Sequence, residues 1–264
     1  MPSFYTHYNF GKNIIPKLSP NIQNIIKQNE ELFVFGNQGP DLFFFHLASA
    51  LKGTNPGIGM HDESFKTLVD EANYNILKLG VHSPSNAYFF GLCCHFLLDT
   101  MLHPTVDAIT TKDYTHFDIE SELDRFYIRQ NGEDENKLLQ SKLLPRPEIA
   151  EYIYPIYAHN PDVSKELIYQ SIRNMRLIKS IFQSKGPKKE AMLLGILKIL
   201  RLSVFSGQLI RQIPFEASIS SNEKLDKLYK DAVERAPQYL DEVYSYVFEG
   251  GEAPEEFRKD FNGV

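Results

Sequence analysis

The 264-residue sequence contains no tryptophan and only two cysteines, which are adjacent at Cys93 and Cys94. Neighbouring cysteines rarely bridge each other, so a disulfide framework is excluded and both thiols are predicted to be reduced and buried. No run of about 18 uncharged apolar residues occurs, which argues against a membrane-spanning helix. The N-terminus lacks a charged head followed by an apolar stretch, as a secretory signal would require. These absences predict a cytoplasmic protein without a transmembrane segment.

The sequence also lacks an excess of positive charge. Its 28 lysines and arginines face 34 aspartates and glutamates, which gives a formal net charge of −6. Proteins that bind nucleic acid through bulk positive charge are basic, so no stable nucleic-acid partner is expected. A polybasic membrane anchor is excluded on the same ground. A small phosphate-bearing substrate remains compatible with this charge, because a few bound metal ions would reverse the local field.

No stretch of useful length alternates apolar and polar residues as a half-buried strand would. Apolar residues instead recur at spacings of three and four from Phe10 to Val247, which is typical of helices. We therefore predict an all-α protein, a multi-helix bundle that forms a single domain over residues 1–264. Because proline disfavours helix in the residue before it, Pro104 is predicted to end one helix and Pro237 to interrupt another.

The most apolar segment, from Ala87 to His103, carries polar side chains on one face. His95, Asp99 and His103 are four residues apart, so they form one stripe along a helix. The other faces are apolar, and a helix that is apolar all round is buried. A buried carboxylate costs several kcal/mol unless it is paired or binds a metal. The stripe therefore indicates either a metal site or a hydrogen-bonded histidine–aspartate pair in the core.

Five further side chains of the same chemistry lie on predicted inward faces or in loops. His116 and Glu120 are four residues apart on the apolar side of a predicted helix, although surface pairs share this spacing. Asp41, in Gly-Pro-Asp, opens a predicted helix and is interpreted as a helix cap or a ligand. His61 follows a glycine-rich loop that lets the backbone approach another group closely, and an ordinary loop histidine is the alternative. His7 shares the apolar stripe of the first helix.

Other polar side chains are predicted to lie outside such a site. His46 comes five residues after Asp41, about 140° round a helix, so it is interpreted as a core or supporting residue. His82 and His159 sit in turns and are expected at the surface. Four charged side chains on the outer side of the predicted helix over residues 116–129 are expected to be solvated: Asp118, Glu122, Arg125 and Arg129.

Together the candidates comprise five imidazoles and three carboxylates. Nitrogen and oxygen ligands without thiolate suit zinc. Eight ligands are too many for one tetrahedral ion, so the sequence predicts a cluster of two or three zinc ions. The predicted metal ligands are His7, Asp41, His61, His95, Asp99, His103, His116 and Glu120.

The order of these motifs resembles that of the zinc-dependent phospholipase C family. The resemblance consists of Thr-His near the start, Gly-Pro-Asp, a loop histidine, His-x-x-x-Asp-x-x-x-His and His-x-x-x-Glu, all within residues 1–130. It implies an all-α bundle of the phospholipase C and P1 nuclease type with a trinuclear zinc site. Residues 1–130 would be the metal-binding core, and residues 131–264 a helical continuation to which we assign no role.

The resemblance also implies how the ions are shared. Secreted members of the family use an N-terminal tryptophan as a ligand of the third ion, and this sequence has none, so that site is expected to be weak, empty or completed by water. The implied sets are Asp41, His61, His95 and Asp99 for the first ion, His103, His116 and Glu120 for the second, and His7 with a bridging Asp99 for the third.

The implied activity is hydrolysis of a phosphoester, with phospholipid as the implied substrate. Zinc would lower the pKa of a bound water toward ~7, and Asp41 would be the catalytic residue that holds the attacking water. Two alternatives stay open: a phosphodiesterase of the single-strand nuclease type, and a non-catalytic protein in which zinc joins helices. The basic, amphipathic helix predicted over residues 188–201 fits core packing better than a membrane surface.

Overall fold

The structure is a computed structural model that describes residues 4–183, 186–199 and 203–264. Within these ranges the chain forms twelve α-helices and no β-strand, which confirms the predicted all-α class. Short 3-10 helices, among them Gly39–Phe45, join several of them. The α-helices are α1 (Phe4–Ile14), α2 (Pro20–Ile26), α3 (Glu30–Gly36), α4 (Leu47–Lys52), α5 (Pro56–Asp62), α6 (Phe65–Leu79), α7 (Pro84–Ile109), α8 (His116–Gln130), α9 (Ala150–Tyr157), α10 (Lys165–Ile181), α11 (Pro187–Ile199) and α12 (Ser218–Tyr244).

Helix α7 lies at the centre of the bundle. Every residue from Ser85 to Thr100 is buried, as the apolar composition of this segment predicts. The helix packs against α3, α12 and α9, which surround it. The adjacent Cys93 and Cys94 are both buried and unbridged, so that prediction is confirmed. Polar side chains on α7 between Ser85 and Thr100 are therefore held away from bulk water.

Helices α3 and α7 cross with their backbones in contact. A Cβ atom added to Gly91 would lie 2.0 Å from the carbonyl oxygen of Phe33, and one added to Gly36 would also collide with the α7 backbone. Only glycine permits so close an approach. Because the 3-10 helix Gly39–Phe45 begins shortly after α3, this crossing brings Asp41 against the polar stripe of α7.

Two predicted helix ends are wrong. Helix α7 continues past Pro104, and α12 continues past Pro237. A proline inside a helix removes one hydrogen bond and bends the helix, at a cost of about 3 kcal/mol or more. Here buried side chains beyond each proline, Val106 in α7 and Leu240 in α12, continue the packing. Tertiary burial therefore outweighs the local preference.

The outer side of α8 is not solvated, which corrects a second prediction. Glu122 and Arg125 are 1% and 3% exposed, and Asp118 is also buried, whereas Arg129 is exposed as predicted. The segment that follows α11 covers this side, and its Arg211 lies 3.3 Å from Asp118. The charges are buried because they neutralise one another.

Residues beyond 130 pack against the elements that carry the candidate ligands. Helix α10 contacts the 3-10 helix Gly39–Phe45, and α12 runs along α7 and α8. In α11, Leu193 and Leu197 are buried, in line with core packing, while residues 200 and 201 of the predicted helix lie outside the described residues. No helix in the described ranges is long and apolar enough to cross a membrane.

Candidate metal centre

The eight predicted ligands converge from five elements around the middle of α7, and we call them the ligand cluster. Helix α1 contributes one of them, the 3-10 helix and α5 one each, α7 three and α8 two. In this order they are His7; Asp41; His61; His95, Asp99 and His103; and His116 and Glu120.

His61 lies on α5, where the sequence predicted a loop. The Asn55 side chain caps this helix by accepting a hydrogen bond from the amide of Gly57, and Pro56 occupies the first helical position, where its missing N–H costs nothing. The helix holds Nδ1 of His61 2.6 Å from the carbonyl oxygen of Gly57. A proline and two glycines thus form part of a helix because the cap fixes its start.

The inner part of the ligand cluster consists of His7, Asp41, His95 and Asp99, which are buried, and His61, which is partly exposed. His7, Asp41, His95 and Asp99 each place one ligand atom within 4.8 Å of all the others. Nε2 of His7 lies 3.1 Å from Oδ1 of Asp99, and Nε2 of His95 lies 3.1 Å from Oδ2 of the same carboxylate. Nε2 of His61 lies 2.9 Å from Oδ1 of Asp41. These atoms are close enough to share an ion.

The outer part of the cluster is nearer to solvent. His103, His116 and Glu120 also place their ligand atoms within 4.8 Å of one another. Nε2 of His116 lies 3.2 Å from Oε1 of Glu120, and Nε2 of His103 lies 3.6 Å from it. Nε2 of His103 is also 3.6 Å from Oδ1 of Asp99, so that carboxylate connects the two parts.

Four imidazoles of the cluster are oriented in the same way. Nδ1 of each faces an oxygen outside the cluster, which fixes the proton there and leaves Nε2 free to coordinate. The sequence did not predict these outer oxygens. They are the carbonyl oxygens of Gly57 for His61 (2.6 Å), Asn37 for His95 (3.0 Å) and Phe261 for His103 (2.9 Å), and Oδ1 of Asp107 for His116 (2.8 Å).

Of these outer groups, only Asp107 has a signal in the sequence. It comes four residues after His103 and continues the polar stripe of α7 by one more turn. Backbone carbonyl groups have no such signature. Gly39, with φ of +48°, is required for another reason, since a Cβ atom there would lie 2.2 Å from the His95 ring.

Four ligand atoms of the cluster are buried without a hydrogen-bond partner in the described part of the chain. Nε2 of His95, for example, lies 3.1 Å from Oδ2 of Asp99, but the contact is not aligned as a hydrogen bond. A buried polar atom left unpaired costs about 1–3 kcal/mol. A divalent cation between these atoms would satisfy them, and imidazole and carboxylate ligands suit zinc. The unpaired atoms are Asp41 Oδ2, His95 Nε2, Asp99 Oδ2 and Glu120 Oε2.

The carboxylates of the cluster are held in their anionic, metal-binding form. Burial would raise the pKa of Asp99, but the imidazoles of His103 and His95 hold it well below its usual value. The pKa of Glu120 is lowered in the same way by His116, against the effect of burial. Burial would lower the pKa of His116, whereas Glu120 raises it to about 9.

The remaining histidines lie outside the ligand cluster. His46 precedes α4, where its Nδ1 lies 3.3 Å from the amide nitrogen of Ser49, so it caps that helix. His82 is exposed, as predicted. His159 is half-buried and lies 3.3 Å from Glu71. None of the three shares an oxygen or nitrogen contact with the cluster among the described residues.

The outer part of the cluster opens into a cleft of about 180 Å³. Asp41 and His61 reach it from the inner part, together with His103, His116 and Glu120. The other lining residues are Phe44, Ile58, Asp62 and Asn262. A substrate group could therefore reach the ligand atoms without any opening of the bundle.

A family model described as zinc-dependent phospholipase C matches residues 6–196, a range that includes the whole ligand cluster. No curated protein and no solved structure matches the chain. The family match covers well over half of the 264 residues, extends beyond the residues that carried the sequence resemblance, and agrees with the helical fold and the grouped histidines and carboxylates. The chain belongs to the zinc-dependent phospholipase C family.

Proposed function

We propose that the protein is a zinc-dependent phosphoester hydrolase and that its substrate is a phospholipid. The observation that carries the proposal is the connection of two ligand groups through Asp99, one of them at the floor of an open cleft. A structural zinc site is closed by four protein ligands. The outer group has three ligands and faces the cleft, so it leaves a position for water or substrate. This arrangement favours catalysis over a purely structural role.

Two or three zinc ions are proposed. The inner ligand atoms lie close enough to share an ion, and Nε2 of His7 lies 3.1 Å from Oδ1 of Asp99, so these two could hold a third ion between them. We assign Asp41, His61, His95 and Asp99 to the first ion, His103, His116 and Glu120 to the second, and His7 with Asp99 to the third.

Bound zinc would supply Lewis acidity toward the phosphoryl oxygens and a water whose pKa lies near ~7. We assign to Asp41 the positioning of the attacking water. It belongs to the buried inner group and also lines the cleft, and its Oδ1 is fixed 2.9 Å from Nε2 of His61. Phe44 and Ile58 give the cleft an apolar rim that would exclude water from a bound ester.

Phospholipid is favoured over single-stranded nucleic acid. A nuclease of this kind needs exposed aromatic rings for base stacking and a positive groove. Phe44 lines the cleft, but Phe43, Phe45, Phe89 and Phe90 are buried in the core. No lysine or arginine is among the residues that line the cleft. Family membership supports the lipid as well.

The first test is metal analysis of the protein purified without chelators. We expect at least two zinc ions per chain, and fewer than one would contradict the proposal. The second test compares the zinc-loaded protein on phosphatidylcholine vesicles, a soluble chromogenic phosphodiester and single-stranded DNA. We expect turnover of the vesicles and the diester. Turnover of DNA alone would replace the lipid with a nucleic acid, and no turnover by fully loaded protein would indicate a structural role for zinc.

A further inference from the structure

The segment from Asp260 to Val264, which lies outside the family match, forms a closed loop. Oδ1 of Asp260 accepts hydrogen bonds from the amides of Asn262 (2.8 Å) and Val264 (3.1 Å). The amide of Asp260 in turn donates to the carbonyl oxygen of Val264 at 3.0 Å. The loop therefore has a defined shape of its own, and we call it the closing loop.

The closing loop is seated on α7 beside Pro104. Gly263 has φ of +82°, and a Cβ atom there would lie 2.7 Å from the carbonyl oxygen of Thr100 and 2.9 Å from Cγ of Pro104. Pro104 has no N–H to donate to the Thr100 carbonyl, so the helix is open at this point. Just before the loop, the carbonyl of Lys259 accepts a hydrogen bond from the amide of Phe65 at 3.0 Å, which ties the chain to α6.

From this seat the closing loop reaches the ligand cluster. The carbonyl oxygen of Phe261 lies 2.9 Å from Nδ1 of His103. The Phe261 ring is fully buried, with its centre 4.9 Å from that of the His61 ring and 5.6 Å from that of His95. Asn262 lines the cleft. The loop thus contacts three of the five imidazoles, those of His61, His95 and His103.

We propose that the closing loop is a positioning element of the metal centre, which holds His103 with Nε2 toward Asp99 and Glu120 and so sets the affinity for the second zinc ion. This inference rests on the proposed function, since it takes the ligand cluster to bind zinc. A partner that orients a metal-bound histidine typically contributes 10–100-fold to metal affinity. The inference gives a role to part of the chain beyond residue 130, where the sequence offered none.

The test displaces the loop by Gly263→Ala, which adds a Cβ where there is no room. The matched control is Gly132→Ala, because Gly132 has φ of +76° but no atom within 4 Å of an added Cβ. Zinc affinity is measured by competition with a chromophoric chelator, and unfolding of the metal-free proteins is measured alongside. We expect Gly263→Ala to bind the weaker zinc ion about 10–100-fold less tightly than the control and to retain about one ion fewer after dialysis.

A second variant, Asp260→Ala, loosens the loop without adding a clash, and it should shift zinc affinity in the same direction. The path through His103 is tested by placing Gly263→Ala on a His103→Ala background, where the further loss should fall below about twofold because the two changes remove the same interaction. If the double variant loses zinc affinity by the product of the two single losses, the inference is overturned. Equal zinc affinities for Gly263→Ala and Gly132→Ala would overturn it as well. If the unaltered protein binds less than one zinc ion, the proposed function fails as well.

Discussion

Helix α8 separates two buried groups of charged side chains that meet the cost of burial in different ways. On its outer side, Glu122, Arg125 and Glu135 form what we call the arginine cluster. Nε of Arg125 lies 3.0 Å from Oε2 of Glu122, and Nη1 lies 3.0 Å from Oε1 of Glu135. On its inner side, the ligand cluster has no ion pair with lysine or arginine among the described residues.

The two clusters differ in where the positive charge that balances their carboxylates comes from. In the arginine cluster a guanidinium supplies the positive charge and the hydrogen-bond donors from within the chain, in the geometry that carboxylates match best. In the ligand cluster only imidazoles face the acids, and four buried atoms stay unpaired. A group of acids that lacks a fixed cation in its own sequence can be completed by a cation from solution. The first cluster is therefore complete within the chain, whereas the composition of the second fits the metal site proposed above.

The largest expected effect on stability lies in the arginine cluster. Arg125→Met should leave Glu122 buried without its cation, while Glu135 keeps Arg129, and should lower the free energy of unfolding by about 3–5 kcal/mol. Zinc content should stay unchanged. Urea unfolding and metal analysis measure the two quantities. The matched control is Arg129→Met, which removes an exposed partner of the same Glu135 and should cost no more than about 1 kcal/mol. Equal losses in the two variants would remove the distinction between the clusters.

The largest expected effect on activity lies in the ligand cluster. Asp99→Asn should lower phosphoester hydrolysis by at least about 100-fold, because this carboxylate connects both ligand groups. Loss of a direct ligand should lower activity more than loss of a group that only orients a ligand, which typically costs about 10–100-fold. Saturating zinc should stabilise the unaltered protein by about 4 kcal/mol at a thousandfold excess over Kd, and the gain should nearly vanish in the variant.

Asp231→Asn is the control for Asp99→Asn, since Asp231 is exposed on α12. It should keep both the activity and the stabilisation by zinc. Assays with a chromogenic diester and thermal unfolding with and without chelator measure both. Full activity in Asp99→Asn would show that the reaction takes place elsewhere.

The sequence predicted the ligand cluster better than the arginine cluster for a physical reason. His95, Asp99 and His103 lie on one helix, where four-residue spacing fixes a common face and the apolar surroundings fix burial. The burial of Arg125 depends on Glu135 and on the chain near Arg211, which lie on other elements. Local spacing carries information about one face of one helix, but not about which distant charge will cover it.

The same limit explains the errors in helix ends and the missing outer oxygens. Pro104 is a local signal for a helix end, but the packing of Val106 and the contact with Gly263 arise from elements elsewhere in the chain. Every residue type has a backbone carbonyl group, so nothing in the sequence marks that of Phe261 as a partner of His103. Side-chain ligands could be predicted, whereas the backbone that orients them could not.

A smaller effect is expected at Asp107, the outer carboxylate of His116. Asp107→Ala should weaken zinc binding by about 10-fold. This is the lower end of the 10–100-fold range typical of a group that orients a metal ligand, because the Asp107 side chain is largely exposed. Asp107→Asn keeps an acceptor oxygen and should weaken binding less. Competition titration with a chelator measures both. Zinc affinities that match the unaltered protein in both variants would limit the metal centre to its direct ligands.

The smallest expected effect concerns Lys179, a buried cation that belongs to neither cluster. Burial lowers its pKa to about 8, with Asp124 opposing, and its ammonium group lies 4.9 Å from the centre of the Phe4 ring. In the unfolded chain the pKa of this lysine is about 10.4. Between pH ~8 and ~10 the unfolded chain therefore binds more protons than the folded protein, and the free energy of unfolding rises with pH. Relative to Lys179→Met, the unaltered protein should gain about 1 kcal/mol between pH ~8 and ~9, measured by urea unfolding. A stability difference between the two proteins that does not change with pH would show that the Lys179 charge is balanced within the chain, as the charge of Arg125 is in the arginine cluster.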